Sequence, residues 1–139
     1  MTADDLGAWL VKGNADQTDL AGRFARDPSI RSWCVQPSYR TALMRAGQPV
    51  VFWASGSRAG LPYGVWGVGR LDGEPQRDEP GGGLWVPLDL EVWPPDRRLR
   101  REVLRADGRL ADLEVLRQPQ GSNPSYLTTA QFAALREYC

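Results

Sequence analysis

Residues 84–93, LWVPLDLEVW, constrain the fold more than any other stretch of this chain. Leu84, Val86, Leu88, Leu90 and Val92 take one side of a period-two pattern. Trp85, Pro87, Asp89, Glu91 and Trp93 take the other. Successive strand residues point to opposite faces, so this is a strand with one face on a core and one facing outward. Two more strands read from QPVVFWASG (48–56) and YGVWGVGRL (63–71), joined by a turn-rich SGSRAGLP. Gly64, Gly67 and Gly69 predict a strand that curves or lets another backbone approach closely. A fourth, GAWLVKG (7–13), opens the chain.

Helical periodicity fills the gaps. In 17–27, Leu20 and Phe24 share a face, Asp16 or Thr18 caps the start and Pro28 ends the run. SYRTALMRAG (38–47) predicts a second helix, with Ser38 as cap, Tyr39 and Leu43 one turn apart and Gly47 past the end. Further helices are expected after Pro94–Pro95, at 110–116, and from Thr128, which forms a capping box with Gln131. DGEPQRDEPGGG (72–83) reads as a mobile surface loop. The expected fold is α+β: a small, mixed β-barrel with helices packed outside, in one domain spanning 1–139.

Composition removes several functions. Histidine is absent, which excludes Ser-His and Cys-His hydrolases and argues against a transition-metal site. The two cysteines, Cys34 and Cys139, lie far apart and form no metal knuckle. No run approaches the roughly 20 apolar residues of a membrane span. MTADDLGAW lacks the basic start of a signal peptide, so a cytoplasmic location is expected. Net charge is zero, but 97–117 holds seven arginines against four acids, and 16 of the 17 basic residues are arginine. Arginine forks suit phosphate, although a solvated mixed surface gives the same counts.

Catalytic signals are weak. Asp89 and Glu91 share a strand face, which fits a carboxylate dyad but fits a solvated sheet face better. GVWGVGR (64–70) lies inside a strand and opens no helix, so it fails as a phosphate cradle. Cys34 has arginine neighbours but no base to assist it. Binding signals are stronger. Trp33, in SIRSWCVQPSYR, and Trp85 both sit among polar residues. Two such rings can clamp a planar heterocycle, each contributing about 1–3 kcal/mol by stacking. They fit a second core layer equally well. Lys12 at the end of the first strand is either a snorkelling edge residue or the mark of a site, with Asn14 offering a donor and an acceptor to a base edge.

In order along the chain, WLVKGN (9–14), SWC (32–34), VVFWASG (50–56), LWVPLDLEV (84–92) and the ending LADLEVLRQPQGSNPSYLTTAQFAALREY (110–138) resemble the EVE domain. They also resemble its relative the YTH domain, both of the PUA-like fold. That resemblance implies a pseudo-barrel of about five or six strands that takes a modified base out of a nucleic-acid strand into an aromatic pocket. Carried over, the pocket is Lys12, Gly13, Asn14, Trp33, Trp85 and the Cys34 backbone. Gly13 stands where the YTH form has serine. Trp53 alternates with Phe52, so only one of the two faces the site. Gln118, Ser122 and Asn123 fall in the loop that meets the nucleic-acid backbone, and Arg31, Arg40 and Arg58 are the candidate phosphate ligands.

The expected function is a reader of a methylated base, in DNA rather than RNA, serving as sensor for a separate effector protein. It needs no cofactor, metal or membrane, and it breaks no bond. A reader of modified RNA, a protein-interaction module with a vestigial pocket, and an enzyme using Asp89, Glu91 or Cys34 are the competing readings.

Overall fold

Among the described residues, eight strands and four helices follow one another as β1 (Leu6–Asn14), α1 (Leu20–Arg26), β2 (Ser29–Val35), β3 (Pro49–Ser55), β4 (Gly64–Leu71), β5 (Gln76–Arg77), β6 (Leu84–Glu91), β7 (Leu99–Arg100), α2 (Arg101–Ala106), α3 (Glu114–Arg117), β8 (Ser125–Thr128) and α4 (Thr129–Arg136). The computed structural model describes residues 2–58 and 61–139. The strands make one mixed sheet in the order β2-β6-β4-β3-β1-β8, with β5 added on β6 and β7 on β4. Among the described residues only β1 and β3 run parallel; the other pairs are antiparallel. The architecture is α+β, an open sheet of eight strands rather than the five or six expected.

Strand alternation splits the core in two. Trp9 and Val11 of β1, Val50 and Phe52 of β3, Trp66 of β4, and Val86, Leu88 and Leu90 of β6 join Leu20 and Phe24 of α1 in one cluster. Ala8, Leu10, Val51, Trp53 and Val65 point the other way, against Leu104 of α2, Val115 of α3 and Leu135 of α4. The sheet is thus apolar on both faces where helices or opposing strands cover it. The β4 glycines behave as the sequence suggested: a Cβ at Gly69 would overlap the Asp89 carbonyl oxygen, so β6 lies where only glycine permits it.

Several expectations fail locally. Residues 38–47 form only a single 3-10 turn, Thr41–Leu43. The Ser38 and Thr41 side chains bond nearby backbone instead: Arg40 N–H donates to Ser38 Oγ (3.1 Å) and Thr41 Oγ1 donates to the Ser38 carbonyl (2.9 Å). Such local bonds compete with the helical ladder. In addition, 29–35, which the sequence pattern assigns to no strand, forms one. A register shift between Ile30 and Ser32 puts Ile30, Trp33 and Val35 on the inner side, and this bulge hides the period of two. The 72–83 segment is also anchored, by β5 and by Trp85 Nε1 donating to Asp78 (3.0 Å). The capping box at Thr128 and Gln131 is present, and Asp19, rather than Asp16 or Thr18, caps α1.

Candidate functional site

Residues directly opposite in an antiparallel pair share a face of the sheet. Trp33 lies opposite Val86, and Trp85 lies opposite Cys34. Trp33 therefore points toward the inner cluster and Trp85 to the outer surface, so the two rings cannot sandwich anything between them. Trp33 packs edge-on against Phe52, with centroids 4.9 Å apart, and its Nε1 donates to the Lys12 carbonyl at 3.0 Å. The Arg23 guanidinium lies 5.3 Å from the Trp33 ring. No room remains beside Gly13: a Cβ there would stand 2.8 Å from Phe52 and 3.1 Å from both Leu20 and Trp33. Between Phe52 and Trp53 the alternation decides for Phe52. Trp53 is buried on the opposite face among the helices, a core residue and not part of a cage.

The ends of β1 and β8 and the loop between α3 and β8 instead build a polar cleft. Asn123 is its keystone. Its Oδ1 accepts the Lys12 N–H (2.8 Å), its Nδ2 donates to the Lys12 carbonyl (3.1 Å), and its own carbonyl accepts from Gln36 N–H (2.8 Å). One residue, through its side-chain amide and its backbone carbonyl, thus ties β1 and the segment after β2 to the 118–123 loop. The Lys12 ammonium donates to the Pro119 carbonyl (3.2 Å) and to that of Gly121. Burial lowers its pKa, partly offset by the Glu114 charge.

On one side of Lys12 opens a cavity of about 350 Å³, lined by Gln36, Tyr39, Arg40, Glu114, Gln118, Ser122 and Asn123 among others. On the other side a space of about 180 Å³ meets Gly13, Asn14, Ser55 and Gln120. Arg40 grips Glu114 with both Nη atoms, at 2.6 and 2.7 Å, and donates through Nη1 to the Pro124 carbonyl (3.1 Å). Ser125 Oγ donates to the same carboxylate (2.8 Å). Burial opposes ionisation of Glu114, but Arg40 and Ser125 outweigh it and its pKa lies below the usual range; the same ion pair raises that of Arg40. Tyr39 stands at the lip, 58% exposed, its hydroxyl accepting from Arg40 Nε (3.3 Å).

Of the residues expected from sequence, Lys12, Arg40, Gln118, Ser122 and Asn123 meet in the larger cavity. Lys12, Gly13, Asn14 and Asn123 meet in the smaller. Trp33 lines neither, acting from behind through the Lys12 carbonyl. Trp85, Trp53, Cys34, Arg31 and Arg58 also line neither. Arg31 pairs with Asp89 (3.1 Å) on the outer face, and the Arg58 N–H donates to the Tyr63 hydroxyl in the loop after β3. Arg40 is held by Glu114, so it is not a free phosphate ligand. Sequence reasoning missed Gln36, Tyr39 and Glu114. Tyr39 carried a misleading signal, since its spacing to Leu43 suggested a buried helix face. Among the described residues, no cluster of His, Cys, Asp or Glu could hold a metal ion, and no helix is long and apolar enough to cross a membrane.

No family model matches the chain, and no curated protein matches it. Solved structures do. A Rhodopseudomonas palustris protein determined by NMR is 18% identical with a TM-score of 0.64, covering 96% of this chain and 92% of that one. Crystal structures of a Pseudomonas putida protein (18% identity, TM-score 0.65, 94% and 98% coverage) and an Agrobacterium tumefaciens protein (16%, 0.62, 94% and 92%) are also similar. All are structural-genomics targets. At these identities the likeness concerns the fold, and it extends over nearly the whole chain.

Proposed function

We propose that this chain is a nucleic-acid-binding module of the PUA-like kind, similar to EVE domains, that takes an extruded, modified base of DNA into the cavity beside Lys12 and serves a separate effector. The reading rests on one observation above all: an exposed tyrosine ring at the lip of a 350 Å³ cavity whose walls carry a lysine and several amide and hydroxyl groups. Tyr39 takes the stacking role that the tryptophan pair cannot fill. Base–aromatic stacking is worth about 1–3 kcal/mol. Gln36, Ser38 and Gln118 supply donors and acceptors suited to a base edge. A methyl group on the base adds about 0.8 kcal/mol if fully buried, roughly a fourfold preference.

Because Glu114 cancels Arg40, Lys12 is, among the described residues, the only uncancelled charge lining the cavity. Salt dependence at this site is therefore expected to be shallow, near one phosphate contact. The test is a binding panel of short DNA and RNA strands, each with one methylated or hydroxymethylated base, at two salt concentrations. Tyr39→Ala should weaken binding about tenfold without unfolding the protein, since the ring is exposed. Equal affinity for plain and modified strands would remove the reader role. Tighter binding of RNA would reverse the assignment to DNA.

A further inference from the structure

On the side of α1, away from Lys12, two open cavities of about 470 Å³ each share Trp93 and Arg98. One lobe runs along Ala21, Phe24 and Ala25 of α1, and Leu61, Val92, Pro28, Pro62, Pro94 and Pro95 form its apolar walls. The other reaches Leu99 and Tyr138. Arg98 lies where they join. Its guanidinium carbon sits 3.9 Å from the centroid of the buried Trp66 ring, and its Nε donates to the Trp93 carbonyl at 3.0 Å. Glu91 lines the first lobe and Asp96 the second. Yet among the described residues no carboxylate reaches within 4.0 Å of Arg98, although seven other ion pairs form on this chain. Burial accordingly lowers its pKa.

A half-buried guanidinium stacked on an indole, held by a single bond and flanked by apolar walls, is a charge set in place without its counter-ion. We infer that this groove docks an acidic segment of a partner protein, in which one carboxylate takes the free Nη edge of Arg98 and an apolar side chain on each side fills a lobe. Arg97 and Arg98 line the groove against Glu91 and Asp96, so the preference for a carboxylate comes from the unpaired Arg98 itself and not from a general excess of positive charge. The apolar walls favour a protein over a nucleic-acid backbone, since a phosphate would satisfy Arg98 and leave both lobes empty. The four prolines offer no N–H, so the segment is gripped by side chains rather than added as a strand. Trp93 and Arg98 have the residue types that dominate binding energy at such contacts.

Fluorescence polarisation of short labelled peptides, apolar–Asp–apolar against the Asn analogue, tests the inference on the intact chain. The Asp peptide should bind about tenfold tighter, the value of one charged hydrogen-bonded contact. Arg98→Gln should erase that difference. Since Arg98 also covers Trp66, Ala25→Glu serves as the second variant: it lies on an exposed helix position, should keep the fold by circular dichroism, and should weaken the Asp peptide more than the Asn one. Equal binding of the two peptides, no binding of either at millimolar concentration, or displacement of the Asp peptide by a single-stranded oligonucleotide would each overturn it. Neither variant touches the cavity at Lys12, so its base binding should be unchanged.

Discussion

Asn123 holds the Lys12 peptide group as a neighbouring strand would, accepting its N–H at 2.8 Å and donating to its carbonyl at 3.1 Å. A side-chain amide here continues the ladder where β8, which begins only at Ser125, has not yet started. The cleft wall therefore depends on one residue of the loop.

Asn123→Ala should cost about 1–3 kcal/mol, because the Lys12 N–H loses its partner in a part-buried setting. Urea unfolding gives the magnitude, and faster hydrogen exchange at the Lys12 amide gives the location. Unchanged exchange would mean that the β1 end is held by something else.

Trp33 and Trp85 should act independently. Trp33→Ala opens a gap beside Phe52 and removes one of the two donors to the Lys12 carbonyl, at about 2–4 kcal/mol. Trp85→Ala, on the outer surface, should cost less than about 1 kcal/mol. The double mutant should equal the sum within about 0.5 kcal/mol. A coupling well above that in stability or in oligonucleotide binding would restore the tryptophan clamp.

Glu114 should give stability an acid-side dependence. Its pKa is depressed in the folded state, so the Arg40 pairing contributes in full above the ordinary glutamate range and is lost as pH falls through the lowered value. Glu114→Gln should cost about 1.5–3 kcal/mol at neutral pH, since the pair is mostly shielded, with side chains 20% and 15% exposed. Between pH 5 and pH 3, roughly, the variant's unfolding midpoint should fall less steeply than that of the unaltered chain. Parallel curves would mean that Glu114 titrates normally.

Gly13→Ala tests whether the space beside Trp33 is filled. The added methyl meets Phe52 at 2.8 Å, and overpacking of this kind costs about 1–3 kcal/mol. A stabilised or unchanged variant would indicate a vacant slot there after all.

The regular strands were legible because their burial pattern is their sequence pattern. In β6, Val86, Leu88 and Leu90 are buried as their alternation requires, and Thr128 caps α4 through the side-chain chemistry its spacing announced. The second strand was not legible, since the irregularity after Ile30 breaks the period in the only place it could be read. The turn at Thr41–Leu43 was read as a helix because Tyr39 and Leu43 have helical spacing, while the competing Ser38 and Thr41 bonds leave no periodic trace.

The amino-acid order by itself determined an α+β chain with two-sided strands and no histidine chemistry, while the polar cleft where Lys12, Gln118 and Asn123 meet came from the fold. Local periodicity and residue chemistry are short-range properties, and a sequence displays them directly. Only the tertiary structure decided which rings face each other. That outcome hangs on strand register, and a shift of one residue exchanges the faces of a sheet. Register placed Trp33 against Phe52 and Trp85 on the far side, and the packing of a loop against α3 brought Arg40 to Glu114 across 74 residues of chain.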